Sequence, residues 1–135
     1  MIKIYNNGNY PPTRGTDQSA GLDLYANSFD GDFIGTGIHV ELPENHVGLI
    51  VPRSSAGLKG FKLANTVGVI DADYRGEIKL ARDYHPTKGF YKINIGDKLA
   101  QLVVVPVAMG VCTCQNLSDL SDTARGDGGF GSTGG

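Results

Sequence analysis

The sequence predicts an all-β fold: a sandwich, barrel or jelly roll of roughly eight or more short strands. Three observations carry this. First, 10 Val, 9 Ile and 8 Thr stand against only 3 Glu and 9 Ala; β-branched residues suit a pleated surface, whereas Ala and Glu are what helical chains favour. Second, apolar and polar residues alternate with a period of two in segment after segment. Third, turn signals separate those segments, with no helical pattern between them.

The segments follow in order. Ile2 and Ile4 alternate with Lys3 and Tyr5, and Leu22 and Leu24 with Asp23 and Tyr25. Ile38, Val40 and Leu42 alternate with His39, Glu41 and Pro43; Val47, Leu49 and Val51 repeat the pattern, as do Tyr91, Ile93 and Ile95. The continuous run Leu102-Val103-Val104-Val105 reads as a strand buried on both faces. Turns are expected at Asn7-Gly8-Asn9, Pro43-Glu44-Asn45, His85 to Gly89 and Gly96-Asp97. One short helical turn is expected after Pro52, through Ser54 to Leu58. Cys112 and Cys114 alternate within what reads as a further strand, both on one face, and are expected to be reduced thiols. Beyond Asn116 apolar residues become scarce, and six of the last ten residues are glycine. The expected division is a core over residues 1–115 and a tail over 116–135, either a solvated extension or an arm that orders on meeting a ligand or another subunit.

At 135 residues the chain fits one domain. Its 12 Lys+Arg against 14 Asp+Glu give a net charge of -2, so there is no general basic field for direct nucleic-acid binding. An anion must be held by a few local cations and amides. No apolar run of about 18 residues exists to cross a membrane, and Met1 to Tyr5 lacks a signal-peptide segment. A cytoplasmic protein is expected. His39, His46 and His85 have no metal-ligand spacing.

Five segments could carry chemistry. Arg125 to Thr133 fits G-x-G-x-x-G at Gly126, Gly128 and Gly131, but a dinucleotide site needs a helix after it and the sequence ends four residues later. The glycine amides, Arg125, Ser132 and Thr133 could form an anion nest, with Phe130 offering a face to a base; an unstructured tail is the alternative. An Arg-Gly-Asp adhesion reading of 125–127 lacks any sign of secretion. Pro52-Arg53-Ser54-Ser55-Ala56-Gly57 presents a cation, hydroxyls and unpaired amides suited to phosphate, or is a helical turn capped by Ser54. In Asn65 to Glu77, Asp71 follows an apolar Val69-Ile70 strand end, where a carboxylate can be aimed as a base toward water; alternatively Asp71 and Asp73 make turn bonds in a hairpin. Ser19 to Leu24, with Asp23 turned away from Leu22 and Leu24, and Gly96 to Leu102, with Gln101, complete the set.

Taken in this order, the five segments resemble the motifs of the trimeric deoxyuridine triphosphatases (dUTPases): Ala20 to Leu24, Pro52 to Ser55, Gly68 to Ile78, Gly96 to Gln101 and Arg125 to Gly134. The resemblance covers nearly the whole chain. It implies a jelly roll, or distorted β-barrel, with a flexible glycine-rich C-terminal arm, assembled as a homotrimer with active sites at subunit interfaces closed by the arms. It implies hydrolysis of dUTP to dUMP and pyrophosphate with Mg²⁺, which limits uracil in DNA and supplies dUMP for thymidylate synthesis. The compartment would be the cytoplasm, or the host cytoplasm or nucleus for a viral source.

By position, Asp71 would orient the water attacking the α-phosphate, and Asp23 would hold Mg²⁺ through water. Arg53 would orient neighbouring groups, and Ser54, Ser55 and Gln101 would meet the phosphates. Ser55 departs from the glycine many members carry there. Asn65 and the backbone of Gly68, Val69 and Ile70 would read uracil, and Tyr74 would lie under the deoxyribose, leaving no room for a 2′-hydroxyl. Phe130 would cover the base, while Arg125, Gly131, Ser132 and Thr133 would clamp the γ-phosphate. The related dCTP deaminases share the Arg-Ser-Ser form, but they carry a glutamate where Ala81 stands and lack the Gly-Phe-Gly-Ser-Thr arm. A non-catalytic, nucleotide-gated interaction module is the remaining alternative.

Overall fold

Alternation becomes strand pairing along most of the chain. The computed structural model describes residues 1–131. The strands are β1 Lys3–Asn6, β2 Thr13–Arg14, β3 Leu22–Tyr25, β4 Ser28–Asp30, β5 Phe33–Gly35, β6 Ile38–Glu41 and β7 His46–Pro52. After the helix α1, Ser54–Leu58, come β8 Gly68–Ile70, β9 Lys79–Ala81, β10 Tyr84–His85, β11 Gly89–Phe90 and β12 Lys98–Pro106. A five-stranded antiparallel sheet runs β2-β3-β12-β7-β8, and a three-stranded sheet runs β4-β5-β9. β1 pairs with β6, and β10 with β11.

The core lies between these sheets. Phe61, Leu24, Ile34, Ile38, Ile78, Leu80 and Leu102 are essentially without exposure, each contributing on the order of 1.5–3 kcal/mol by burial. Thr36 is as buried as they are, and its hydroxyl is satisfied: it donates to the Ile78 carbonyl (2.6 Å) and accepts from the Ile38 amide (3.2 Å). That pair of bonds fastens the β5–β6 corner to the start of β9.

The five-stranded sheet has an inner and an outer face. Directly opposed residues on antiparallel strands share a face, so Ile50 and Leu102 point inward together. Leu49 with Val69 and Val103, Val47 with Val105, and Val51 with Gln101 and Asp23 share the outer face. Val47, Leu49, Val51, Val103 and Val105 are only half-buried there, and Val69 is exposed. The run 102–105 is therefore not covered on both sides within one chain, and the apolar set of β7 belongs to the open face, with Gly48 and Ile50 facing the core.

Two expected strands do not form. Residues 91–95 are irregular, although Tyr91 and Ile93 still pack against the core. Residues 107–116 are likewise irregular and exposed, so Cys112 and Cys114, both free, share no strand face; no strand among the described residues pairs with them there. From Val107 to Gly131 no residue is buried. No helix among the described residues is long and apolar enough to cross a membrane.

Candidate active site

At one end of the five-stranded sheet, Asp23 on β3 sits opposite Gln101 on β12, which in turn sits opposite Val51 on β7. Two residues past Val51 the chain turns into α1, and Arg53 occupies the turn with extended backbone. Its Nε lies 3.0 Å from Asp23 Oδ1, with the side chains 29% and 13% exposed. The Arg53 amide donates to the Leu99 carbonyl at 2.9 Å, which fixes the turn to β12. Asp23, Arg53, Ser54 and Gln101 line a cavity of about 200 Å³ together with Gly15, Ser19 and Gly21. Gly21 is obligatory here, because a β-carbon would lie 2.9 Å from Gln101 Cβ and collide with its side-chain oxygen. The N-cap of α1 is Arg53 rather than Ser54, and no side chain caps the helix; the capping alternative for Ser54 therefore does not hold. Ser55 is exposed on α1, outside this cavity.

The second group lies elsewhere on the sheet. Among the described residues β8 is an edge strand, paired only with β7. Gly68 is buried against Ile50, with Asn65 Nδ2 nearby, and Thr66 turns the preceding loop with φ of 66°. Asp71 follows β8 directly and is exposed; the Tyr74 amide closes a turn onto its carbonyl at 3.1 Å. That turn is not a hairpin, since β8 and β9 belong to different sheets. Val69, Ile70, Asp71 and Tyr74 line a cavity of about 290 Å³ with Phe33, Glu77 and Lys79.

The register measures how far apart the two groups lie. Gln101 is level with Val51, and Ile70 with Gly48. Three residues at about 3.3 Å each separate those levels, and two strand spacings of about 4.8 Å separate β12 from β8. Asp71 lies one residue further along and Asp23 one strand further across, so their Cα atoms are on the order of 15 Å or more apart. The two cavities have no lining residue in common.

Among the described residues, none of the tail lines either cavity. Arg125 Nε donates to the Gly128 carbonyl at 2.7 Å, a local turn, and Phe130 is fully exposed with φ of 51°. Gly131 has φ of 82°, while Ser132 and Thr133 lie outside the described residues.

The dUTPase family model matches residues 10–134. The chain belongs to the dUTPase family. It is similar to the deoxyuridine 5′-triphosphate nucleotidohydrolases of Debaryomyces hansenii (42% identical over 129 residues, 91% of this chain and 79% of that one) and Ehrlichia canis (40% over 146 residues, 99% and 93%). That of Escherichia phage T5 is 38% identical over 150 residues, 99% of each chain. Among solved structures, the Staphylococcus bacteriophage 80alpha dUTPase with dUPNHPP superposes with a TM-score of 0.79 at 24% identity, covering 99% of this chain and 98% of that one. The dUTPase from phage phi11 of S. aureus gives 0.69 at 24%, covering 89% and 99%. The fold is the all-β jelly roll of these dUTPases.

Three members of the Asp71 cavity carry no role in the motif reading. Phe33 and Lys79 come from β5 and β9, and only tertiary structure brings them beside Asp71. Glu77 stands inside the motif, with no local pattern that distinguishes it from a solvated carboxylate. Ala81 ends β9, the strand after the third motif, so no carboxylate stands at the deaminase position.

Proposed function

We propose that this chain hydrolyses dUTP to dUMP and pyrophosphate in sites that two or more copies build together. The observation that carries the reading is the division of one motif set into two cavities. Asp23, Arg53, Ser54 and Gln101 form a polar, phosphate-suited cavity. Asp71 and Tyr74 stand in a more apolar one that suits a nucleoside. Across the gap given by the register, a base at Asp71 and a phosphate at Asp23 of the same chain do not meet; those of two copies can.

The half-buried outer face of Val47, Leu49, Val51, Val103 and Val105 supports assembly, because an apolar sheet face beside a site is stabilised by a second copy. A homotrimer is the arrangement the family resemblance implies. In it the segment beyond residue 115 serves as the arm, with Phe130 over the base and Arg125, Gly131, Ser132 and Thr133 at the γ-phosphate.

Asp71 takes the proton of the water that attacks the α-phosphorus, as its place at an open strand end allows. Asn65 and the unpaired edge of Gly68, Val69 and Ile70 offer donors and acceptors to the uracil rim, and Tyr74 walls the sugar. Arg53 holds the Asp23 carboxylate in place, and Ser54 and Gln101 meet phosphate oxygens; Ser55, turned outward, meets them at the rim. The side-chain groups beside Asp23 able to ligate a metal, the Ser19 and Ser54 hydroxyls and the Gln101 amide oxygen, are all oxygens, and no group of three or more His, Cys, Asp or Glu clusters among the described residues. That set fits Mg²⁺, which keeps its waters and leans on one or two carboxylates and on substrate phosphates. When bound, Mg²⁺ neutralises phosphate charge. Positioning and charge stabilisation are most of what phosphoryl transfer asks of a protein.

The test is pyrophosphate release from dUTP, dCTP, dTTP and UTP, with and without Mg²⁺. Mg²⁺-assisted release from dUTP alone is expected. Binding of dUTP with no release from any nucleotide would replace the enzyme by a nucleotide-gated module.

A further inference from the structure

We infer that Glu77 is a positioning residue that fixes the sugar-facing wall of the site to the protein core. The inference rests on the roles proposed for Tyr74 and Asp71 and names what holds them.

The backbone of the Asp71–Arg75 turn is tied to β6 through Arg75, whose carbonyl meets His39 Nδ1 at 2.8 Å and whose guanidinium donates to the Ala72 and Tyr74 carbonyls; the Tyr74 ring is held separately. Asp71 is exposed at the end of an edge strand, and Tyr74 is 42% exposed. The Tyr74 hydroxyl, however, donates to the Glu77 carbonyl at 2.9 Å. Its ring folds over Gly76, where any β-carbon would collide with the phenol. Tyr74, Gly76 and Glu77 thus move as one unit.

Glu77 fastens that unit. The Gly37 amide donates to Glu77 Oε2 at 3.3 Å. A β-carbon at Gly35 would strike the same oxygen and the Ser28 hydroxyl, so Gly35 leaves the notch that admits the carboxylate, while Gly37 supplies the amide. Among the described residues no cation pairs with Glu77; the nearby Lys79 pairs with Asp30 instead, at 3.4 Å. A carboxylate held by a backbone amide in a glycine notch, rather than by a flexible lysine, acts as a peg. The next residue, Ile78, is fully buried and donates to the Ile38 carbonyl at 2.8 Å. The peg is therefore seated in the same rigid corner that Thr36 fastens to Ile78.

The consequence is selectivity. A wall rejects a 2′-hydroxyl only while it is held in place, since displacements on the scale of 1 Å weaken positional discrimination. The experiment measures kcat/KM for dUTP and UTP with Glu77→Ala, Glu77→Gln, Gly35→Ala and Tyr74→Ala, with assembly checked by size-exclusion chromatography. Glu77→Ala is expected to lower the dUTP/UTP ratio about tenfold. Glu77→Gln, which keeps an oxygen to accept from Gly37, should restore it to within about twofold of the unaltered protein. Gly35→Ala should reproduce the Glu77→Ala loss by filling the notch, and should add nothing in the double variant. If Glu77→Ala does not assemble, Gly35→Ala against Glu77→Gln carries the same comparison. An unchanged ratio in Glu77→Ala, with the ratio collapsing in Tyr74→Ala, overturns the inference and leaves the proposed function standing. Unaltered protein that does not hydrolyse dUTP overturns the proposed function instead.

Discussion

Arg53→Ala removes a guanidinium from beside a carboxylate that keeps little exposure of its own. The pair is 3.0 Å apart, with Arg53 29% and Asp23 13% exposed. Exposed pairs contribute about 0–1 kcal/mol, while breaking a fully buried pair costs about 3–5 kcal/mol because a lone charge stays behind. Arg53 keeps some solvent and Asp23 little, so the loss should be about 2 kcal/mol, within the range for a hydrogen bond to a charged group. Most of that cost is the orphaned carboxylate. Asp23→Asn in the same chain should therefore recover part of the stability while leaving the protein inactive. The assay is chemical denaturation followed by circular dichroism at one fixed protein concentration, since an oligomer's stability depends on it. A loss below about 0.5 kcal/mol for Arg53→Ala, or a double variant less stable than Arg53→Ala alone, would refute the reasoning.

Three further outcomes are expected. Asp71→Asn should lower kcat by about 10²–10⁴-fold, the usual contribution of a positioned base, while dUTP still binds in equilibrium dialysis. Removing residues 125–135 should abolish turnover and leave the elution volume of the assembly unchanged; persistent activity would remove the arm from the mechanism. On β6, Glu41 titrates below its ordinary value, chiefly because the Lys3 side chain hydrogen-bonds it and adds its charge, with Arg75 assisting and slight burial opposing. Its folded pKa lies below its unfolded one, so the pair's stabilisation is present above the unfolded pKa and fades as pH falls through the folded one. Lys3→Gln should move the Glu41 titration upward in an NMR pH series.

The sequence made the family and the all-β fold class legible more fully than the strand pairing and its coverage. Ile38, Val40 and Leu42 are all buried, as their alternation requires, and the helical turn spans Ser54–Leu58 as its proline and glycines predict. Val47, Leu49 and Val51 alternate just as clearly, yet they face the open side of the sheet. Periodicity finds a face and does not say what covers it, and no described residue of the same copy covers this one. Tyr91 and Ile93 show the converse: they reach the core from an irregular segment, so burial was legible and the strand was not. The pairing of Asp23 with Gln101 depends on the β3–β12 register, which no local pattern encodes. The seat of Glu77, a notch at Gly35 and the Gly37 amide, was equally hidden, since its parts lie some forty residues apart.

The central claim is that one chain carries only parts of a site. Co-expressing an Asp23→Asn chain with an Asp71→Asn chain tests it, because each supplies what the other lacks. If sites combine Asp23 from one copy with Asp71 from another, random assembly leaves roughly one quarter of them intact. The mixture should then recover about a quarter of the unaltered dUTP hydrolysis, far above either variant alone. Activity no greater than the two variants give separately would place both carboxylates in one chain's site and contradict the account.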